Sequence, residues 1–136
     1  MKRTILSIAL MALVACGTQV WLKSESPKAA DAWGTVDTAP GPNSTLKVTI
    51  TVEDLPPPDK VALQTQVYIV WIKPPASNRQ KLGVLQFENT PDKKKTIGKL
   101  SADTPFHNFE VYVTPEPGED QNEPTGDKVL RAIVDR

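Results

Sequence analysis

Residues able to do covalent or acid–base chemistry are few in this chain of 136 residues. It contains one cysteine, Cys16, and one histidine, His107. A nucleophilic triad needs a base beside its nucleophile, and zinc sites take three or four Cys, His or carboxylate ligands. We therefore expect no enzyme, no catalytic residues and no cofactor. His107 is interpreted as a structural histidine at the start of a strand, with a ligand or pH-switch role as the alternative.

Two charged segments are the remaining candidates for binding chemistry. Residues 116–123 have the sequence EPGEDQNE, and oxygen ligands on a flexible loop suit Ca²⁺. The spacing matches no known calcium loop, so a solvated connection is preferred and a calcium site is the alternative. Lys93, Lys94 and Lys95 form a basic segment. It is predicted to be a solvated hairpin tip, with contact to anionic head groups or acidic polymers as the alternative.

The N-terminus has the layout of an export signal. Lys2 and Arg3 precede a mostly apolar run at residues 5–15, and Cys16 follows it. This run of eleven mostly apolar residues is too short to span about 30 Å of hydrocarbon as a helix. A charged start followed by a short apolar run predicts a cleaved secretory signal peptide. An uncleaved membrane anchor is the alternative that the short run disfavours.

The end of this segment carries a more specific pattern. Leu13-Val14-Ala15-Cys16 resembles the lipobox of bacterial lipoproteins, in which small and branched apolar residues precede an invariant cysteine. The resemblance implies that the Cys16 thiol receives a diacylglyceryl group and that a peptidase cuts before it. The lipid would hold the protein on the extracytoplasmic side of a cell membrane. Gly17 replaces the aspartate associated with inner-membrane retention, which implies the outer membrane in a host with two membranes. A plain signal peptide with an incidental cysteine is the alternative.

These signals predict three parts: a signal peptide at residues 1–15, a lipidated cysteine and flexible tether at residues 16–32, and one domain at residues 33–136. The tether is rich in Ser, Ala, Lys and Glu and shows no sustained hydrophobic period. The domain contains no second cysteine and so no disulfide, although export would permit one. Removing Lys2 and Arg3 from 16 basic residues leaves 14 against 16 acidic residues. Since nucleic-acid binders present a basic face, we expect no nucleic-acid partner.

The domain shows a β pattern throughout. Residues 45–53 alternate strictly between apolar and polar side chains, which predicts a half-buried strand, and residues 66–72 are apolar on both faces. With turn signals every 8–12 residues, the pattern favours a single immunoglobulin-like antiparallel sandwich of six or seven strands, with Trp71 in its core. The predicted strands cover residues 45–53, 66–72, 82–87, 96–100, 106–114, 129–134 and, more weakly, 33–36.

The order of several short segments resembles the extracytoplasmic C-terminal domain of anti-sigma-K-type factors. The segments are YIVW (residues 68–71), LG (82–83), VTPE (113–116) and PTGDKVL (124–130). The likeness covers about residues 66–131 and implies a sandwich domain without catalytic residues. This chain departs from that family because no sigma-binding part and no transmembrane helix precede the domain. The regulatory function is therefore not implied.

Together these features predict a membrane-anchored lipoprotein of the cell envelope. We expect a non-enzymatic module that binds an envelope protein or polymer, or contributes to envelope structure. The alternative is an extracytoplasmic ligand- or calcium-sensing module related to anti-sigma factor regulation.

Overall fold

A computed structural model describes residues 18–88 and 96–136, and these residues form an antiparallel β structure. Nine strands are present in the described ranges, together with one short helix, α1 (Pro58–Val61), and two 3-10 turns, Pro27–Ala29 and Pro42–Ser44. The strands are β1 (Thr18–Ser24), β2 (Trp33–Pro40), β3 (Leu46–Glu53), β4 (Val67–Lys73), β5 (Gln80–Val84), β6 (Gln86–Glu88), β7 (Ile97–Thr104), β8 (Asn108–Glu116) and β9 (Leu130–Asp135).

The strands form a nearly closed, barrel-like sheet. Hydrogen-bonded neighbours follow the order β5-β4-β8-β9-β1-β2-β3-β7-β6. The two strands at the ends of this order, β5 and β6, are consecutive in the chain and are separated by Leu85 alone. Val84 of β5 pairs with Ile69 of β4, while Gln86 of β6 pairs with Lys99 of β7. The chain therefore changes partner at Leu85 and brings the sheet back on itself.

The prediction of an all-β, antiparallel fold is confirmed, but an immunoglobulin-like sandwich of six or seven strands is not what the chain forms. The predicted strand at residues 82–87 divides into β5 and β6 because its two halves pair with different neighbours. A further strand, β1, pairs with β2 over most of its length and with β9 through Lys23 and Ser24. It joins two halves of the sheet that a sandwich would keep as separate layers.

The structure also corrects the tether predicted at residues 16–32. Over residues 18–24 the chain forms β1, which directs Leu22 into the core with 1% of its surface exposed. The following 3-10 turn is capped by the Ser26 hydroxyl, which accepts from the backbone N–H of Lys28, and it buries Ala29. The domain therefore begins no later than Thr18 rather than at residue 33. The signal peptide at residues 1–15 and Cys16 lie outside the described residues.

Every second side chain along the strands points inward, and these side chains fill the main core. Leu46, Val48, Ile50 and Val52 of β3 are buried, which confirms the strand predicted at residues 45–53. Burying four such side chains against the facing strands contributes roughly 1.5–3 kcal/mol each. β4 is buried on both faces, as its apolar sequence predicted. The inward side chains of β4 that join this core are Tyr68, Val70 and Ile72.

A second, smaller cluster lies on the outer face of β4 and β8. Ile69, Trp71 and Tyr112 form it, and Trp71 is fully buried there. Trp71 was expected in the centre of a sandwich, whereas it packs on the side of the sheet opposite the main core. The segment between β8 and β9, residues 117–129, lies across this face. Lys81 Nζ of β5 donates to the carbonyl oxygens of Glu119 and Gln121 in that segment.

Strand register defines two ends of the sheet. One end, which we name the "Thr18 end", contains Thr18, Pro40, Thr104 and Asn108. The pairs Thr18↔Thr38, Pro40↔Leu46 and Leu46↔Thr104 run along it. The opposite "Glu116 end" contains the pairs Trp33↔Glu53, Glu53↔Ile97 and Val67↔Glu116. Arg136 closes the Thr18 end by donating from Nη1 to the hydroxyls of Thr18 and Thr38. Within the described ranges, no helix has the length and apolarity needed to cross a membrane.

Candidate functional site

The residues with predicted chemistry are dispersed over the molecule. Cys16 and the lysines at residues 93–95 lie outside the described ranges. His107 lies at the Thr18 end, is exposed, and places Nε2 3.1 Å from the carbonyl oxygen of Ser44. Its neighbour by parity, Phe109, is buried. The strand begins only at Asn108, so the alternation that would have turned His107 inward does not extend to it.

A buried carboxylate, Glu116, is the most unusual polar group of the described residues. It is the last residue of β8 and has no exposed surface. Its Oε1 accepts from the Thr125 hydroxyl at 2.6 Å, and its Oε2 accepts from the Thr114 hydroxyl at 2.6 Å. The Thr125 backbone N–H lies 3.1 and 3.0 Å from the two oxygens, and the Gly126 N–H lies 3.3 Å from Oε2. A buried carboxylate is tolerated because such donors replace water.

This carboxylate links the sheet to the segment that covers it. Trp71 Nε1 donates to Thr114 Oγ1 at 2.8 Å, and the same hydroxyl donates onward to Glu116. Gly126 approaches β8 so closely that a Cβ there would lie 2.4 Å from the carbonyl oxygen of Pro115. The network therefore fixes residues 125–126 over the outer face of β8. We name these residues, Trp71, Thr114, Glu116, Thr125 and Gly126, the Glu116 network.

The acidic segment does not gather its carboxylates. Glu116 is buried beneath residues 125–126 on the outer face of β8, while Glu119, Asp120 and Glu123 are exposed. Glu123 lies 3.8 Å from Arg79 Nη2. In residues 18–88 and 96–136, no three His, Cys, Asp or Glu side chains lie close enough to share a metal ion.

Beside this segment, an ion-pair cluster occupies the outer face of β8 and β9. Glu110 Oε2 accepts from Lys128 Nζ at 2.7 Å and from Arg131 Nε at 2.6 Å. Partial burial opposes ionisation, but the two cations outweigh it and hold the pKa of the Glu110 carboxyl below its ordinary value. Lys128 Nζ also lies 4.4 Å from the ring centre of Tyr112, a cation–π contact that fastens the start of β9 over the second cluster.

Tyr68 ties the proline segment after β3 to the core. Its hydroxyl donates to the carbonyl oxygen of Pro56 at 2.6 Å. Burial, and after it the negative charge of Asp59, raises the pKa of the Tyr68 phenol well above its ordinary value. The phenol therefore stays protonated and acts as a structural donor.

An exposed pair of indoles lies on the outer face of β1 and β2. The ring centres of Trp21 and Trp33 are 5.5 Å apart and their planes are tilted by 41°. Trp21 is 58% exposed and Trp33 is 36% exposed. Sequence reasoning did not connect them because residue 21 was assigned to the tether. The outward position of Trp21 beside inward Val20 and Leu22 was the available signal.

Two surface features therefore distinguish the described domain: the face held by the Glu116 network and the exposed Trp21–Trp33 pair. Comparison of the chain with family models, curated proteins and solved structures finds no match. The two resemblances given above depend on short segments, within residues 1–16 and 66–131.

Proposed function

We propose that this chain is a lipoprotein of the bacterial cell envelope, anchored by lipid on Cys16 to the extracytoplasmic side of a membrane. The segment Leu13-Val14-Ala15-Cys16 after a charged, apolar leader carries the proposal. Strand β1 (Thr18–Ser24) lies after the proposed cleavage position, so cleavage before Cys16 would leave the described sheet whole, which supports the proposal. The outer membrane is the proposed address if the host has two membranes, since Gly17 follows the cysteine.

The domain behind the anchor is proposed to be a non-enzymatic module that binds an envelope protein or polymer or contributes to envelope structure. This proposal is supported by the positions of the described residues that could act as acids or bases, because they lie apart from one another. His107 is exposed and contacts a backbone carbonyl, and the buried carboxylate of Glu116 is fully engaged by hydroxyl and amide donors.

Replacement of the cysteine tests the anchor. Cys16→Ser should abolish incorporation of radiolabelled palmitate and leave the uncleaved precursor, because the thiol is the acceptor of the lipid. Ser7→Ala changes the same leader but keeps Cys16, and it should label and mature normally. Palmitate in the Cys16→Ser protein would refute the proposed lipidation.

A sensing module related to anti-sigma factors is the second candidate. It is favoured by one observation: Thr114, Glu116, Thr125 and Gly126 meet in one hydrogen-bonded network. They come from the two separate segments, VTPE and PTGDKVL, that carry the resemblance. In a sensing module, this network would form part of a ligand-responsive face at the Glu116 end.

Calcium titration separates the two candidates. If the acidic segment only connects strands, 1 mM Ca²⁺ should leave the melting temperature unchanged, because exposed carboxylates gain only tenths of a kcal/mol from screening. A calcium site with a Kd of about 10 µM would instead stabilise the fold by about 2.7 kcal/mol. A saturable shift that disappears in Glu119→Gln/Asp120→Asn would establish the sensing function.

A further inference from the structure

The distance from the proposed anchor to the folded domain is short. Consecutive Cα atoms lie about 3.8 Å apart, so the Cα of Cys16 is at most about 8 Å from that of Thr18. Thr18 is already part of β1, which pairs with β2 from this residue onward. A lipid on Cys16 therefore leaves the domain no spacer and brings the surface around β1 to the level of the lipid head groups.

The Trp21–Trp33 pair is the exposed apolar surface nearest to that point along β1. Trp21 lies three residues after Thr18, or about 10 Å along the strand. Trp33 of the neighbouring strand packs against it, so the two indoles form one continuous surface. Ile133, which is 50% exposed, lies on β9, the strand on the other side of β1, and adds a further exposed apolar side chain.

We propose that the Trp21–Trp33 pair is a second membrane contact that inserts into the head-group region and makes the domain lie on its β1–β2 face. This inference rests on the proposed function, because it requires the lipid on Cys16. Indole rings favour the membrane interface, where their apolar body and N–H group are both accommodated. The anchor removes most of the entropic cost of this contact, since the pair is held beside the bilayer at high effective concentration.

Charge does not drive this contact. Lys23 is exposed on the outward side of β1, and cations near anionic lipid contribute about 1 kcal/mol each. Asp37 of β2 and Glu53 of β3 lie on the same outward face, and their negative charges offset the positive charge of Lys23. The contact should therefore form on neutral as well as anionic membranes.

The proposal also assigns an orientation to the rest of the domain. By strand order, β4 and β5 lie across the closed sheet from β1 and β2. With the indole pair against lipid, the face covered by residues 117–129 points away from the membrane. An envelope partner would therefore meet this face first.

Tryptophan fluorescence tests the proposal in the lipidated, full-length protein. The chain has three tryptophans, and Trp71 is buried on the opposite side. The Trp33→Phe variant keeps Trp21, and the Trp21→Phe variant keeps Trp33. The double variant keeps neither of the two, and Trp71 contributes the same signal in all three proteins. The proteins are reconstituted into phosphatidylcholine vesicles, with and without phosphatidylglycerol. Quenching by brominated acyl chains is then compared with quenching by aqueous acrylamide.

We expect brominated lipid to quench the fluorescence of Trp21 and Trp33. Acrylamide should quench both indoles less in the vesicle-bound protein than in the reference sample. The reference is the same protein without its acyl chains, in solution without detergent or lipid. The double variant should lose the brominated-lipid quenching entirely, and its remaining Trp71 emission reports that the domain is still folded.

Flotation with the vesicles, measured in parallel, separates the two ways to fail. If the protein floats but its indoles stay open to acrylamide and insensitive to brominated lipid, the membrane contact is refuted while the anchor stands. If the protein does not float, the anchor itself fails and the contact with it. Protection of the indoles by soluble peptidoglycan fragments instead of lipid would also overturn the proposal and assign this face to a glycan.

Discussion

Neutralising Glu116 is the sharpest test of how the outer face of the domain is held together. In Glu116→Gln, an amide nitrogen replaces one carboxylate oxygen at nearly the same size. If the remaining oxygen stays with the Thr125 hydroxyl, the new N–H₂ group faces the Gly126 N–H, which now lies 3.3 Å from Oε2, and two donors oppose each other. The Thr114 hydroxyl, which already accepts from Trp71, also loses its acceptor.

The expected loss of stability follows from these donors. A buried donor left without an acceptor costs about 1–3 kcal/mol, and hydrogen bonds to a charged group are stronger than those to a neutral one. Two affected donors give a loss of about 2–6 kcal/mol, a large part of the 5–15 kcal/mol typical of a domain. For a domain of this size, in which about 1 kcal/mol shifts the melting temperature by about 4 °C, that temperature should fall by roughly 8–24 °C.

Thermal unfolding followed by circular dichroism measures this loss. Glu119→Gln is the matched control, because Glu119 is an exposed carboxylate of the same segment, and its stability should change by less than about 0.5 kcal/mol. A Glu116→Gln protein that melts within about 2 °C of the parent would show that the network contributes little and that the covering segment is held by other contacts.

Two further predictions concern β1 and the ion-pair cluster. Leu22→Ala should destabilise the protein by about 2–5 kcal/mol because it empties a core position. Lys23→Ala, on the outward side of the same strand, should cost less than about 0.5 kcal/mol. If chemical denaturation gives equally small effects for both variants, these residues belong to a tether and not to the folded domain. Glu110→Gln should lower stability at neutral pH by less than about 1 kcal/mol. Because the folded pKa of Glu110 lies below its ordinary value of 4.5, this contribution is complete well above pH 4.5 and is lost as the pH falls through the folded value. The parent and variant unfolding curves should therefore converge in acid, and a difference that persists there would refute the assignment.

The strands with long alternation were predictable from sequence. Leu46, Val48, Ile50 and Val52 follow period two with β-branched neighbours, and the structure buries all four. The seven predicted segments all correspond to strands. Their number was too low for two local reasons: only Val20 and Leu22 mark the inward side of β1, and the change of partner at Leu85 leaves no signal in hydrophobicity.

The way the sheet closes was beyond a local pattern, since pairing between β1 and β9 joins residues more than a hundred positions apart. The Glu116 network was beyond it for a similar reason. A glutamate between two prolines in an acidic segment is typical of a solvated loop. Its burial depends on Thr125, nine residues later, whose hydroxyl and N–H turn back to it.

The change of partner at Leu85 has a consequence for how copies of this domain behave when they are crowded. An open sheet offers a row of unpaired N–H and C=O groups to a neighbouring molecule, which invites aggregation. Here the two end strands, β5 and β6, follow one another in the chain. Among the residues that the structure describes, the ends of the sheet therefore meet along a seam between β5 and β7. Leu100 of β7 lies over this seam, and a Cβ at Gly83 would lie 2.8 Å from its Cδ1. A larger side chain at Gly83 would displace Leu100, uncover the backbone along the seam and favour edge-to-edge association of the domain.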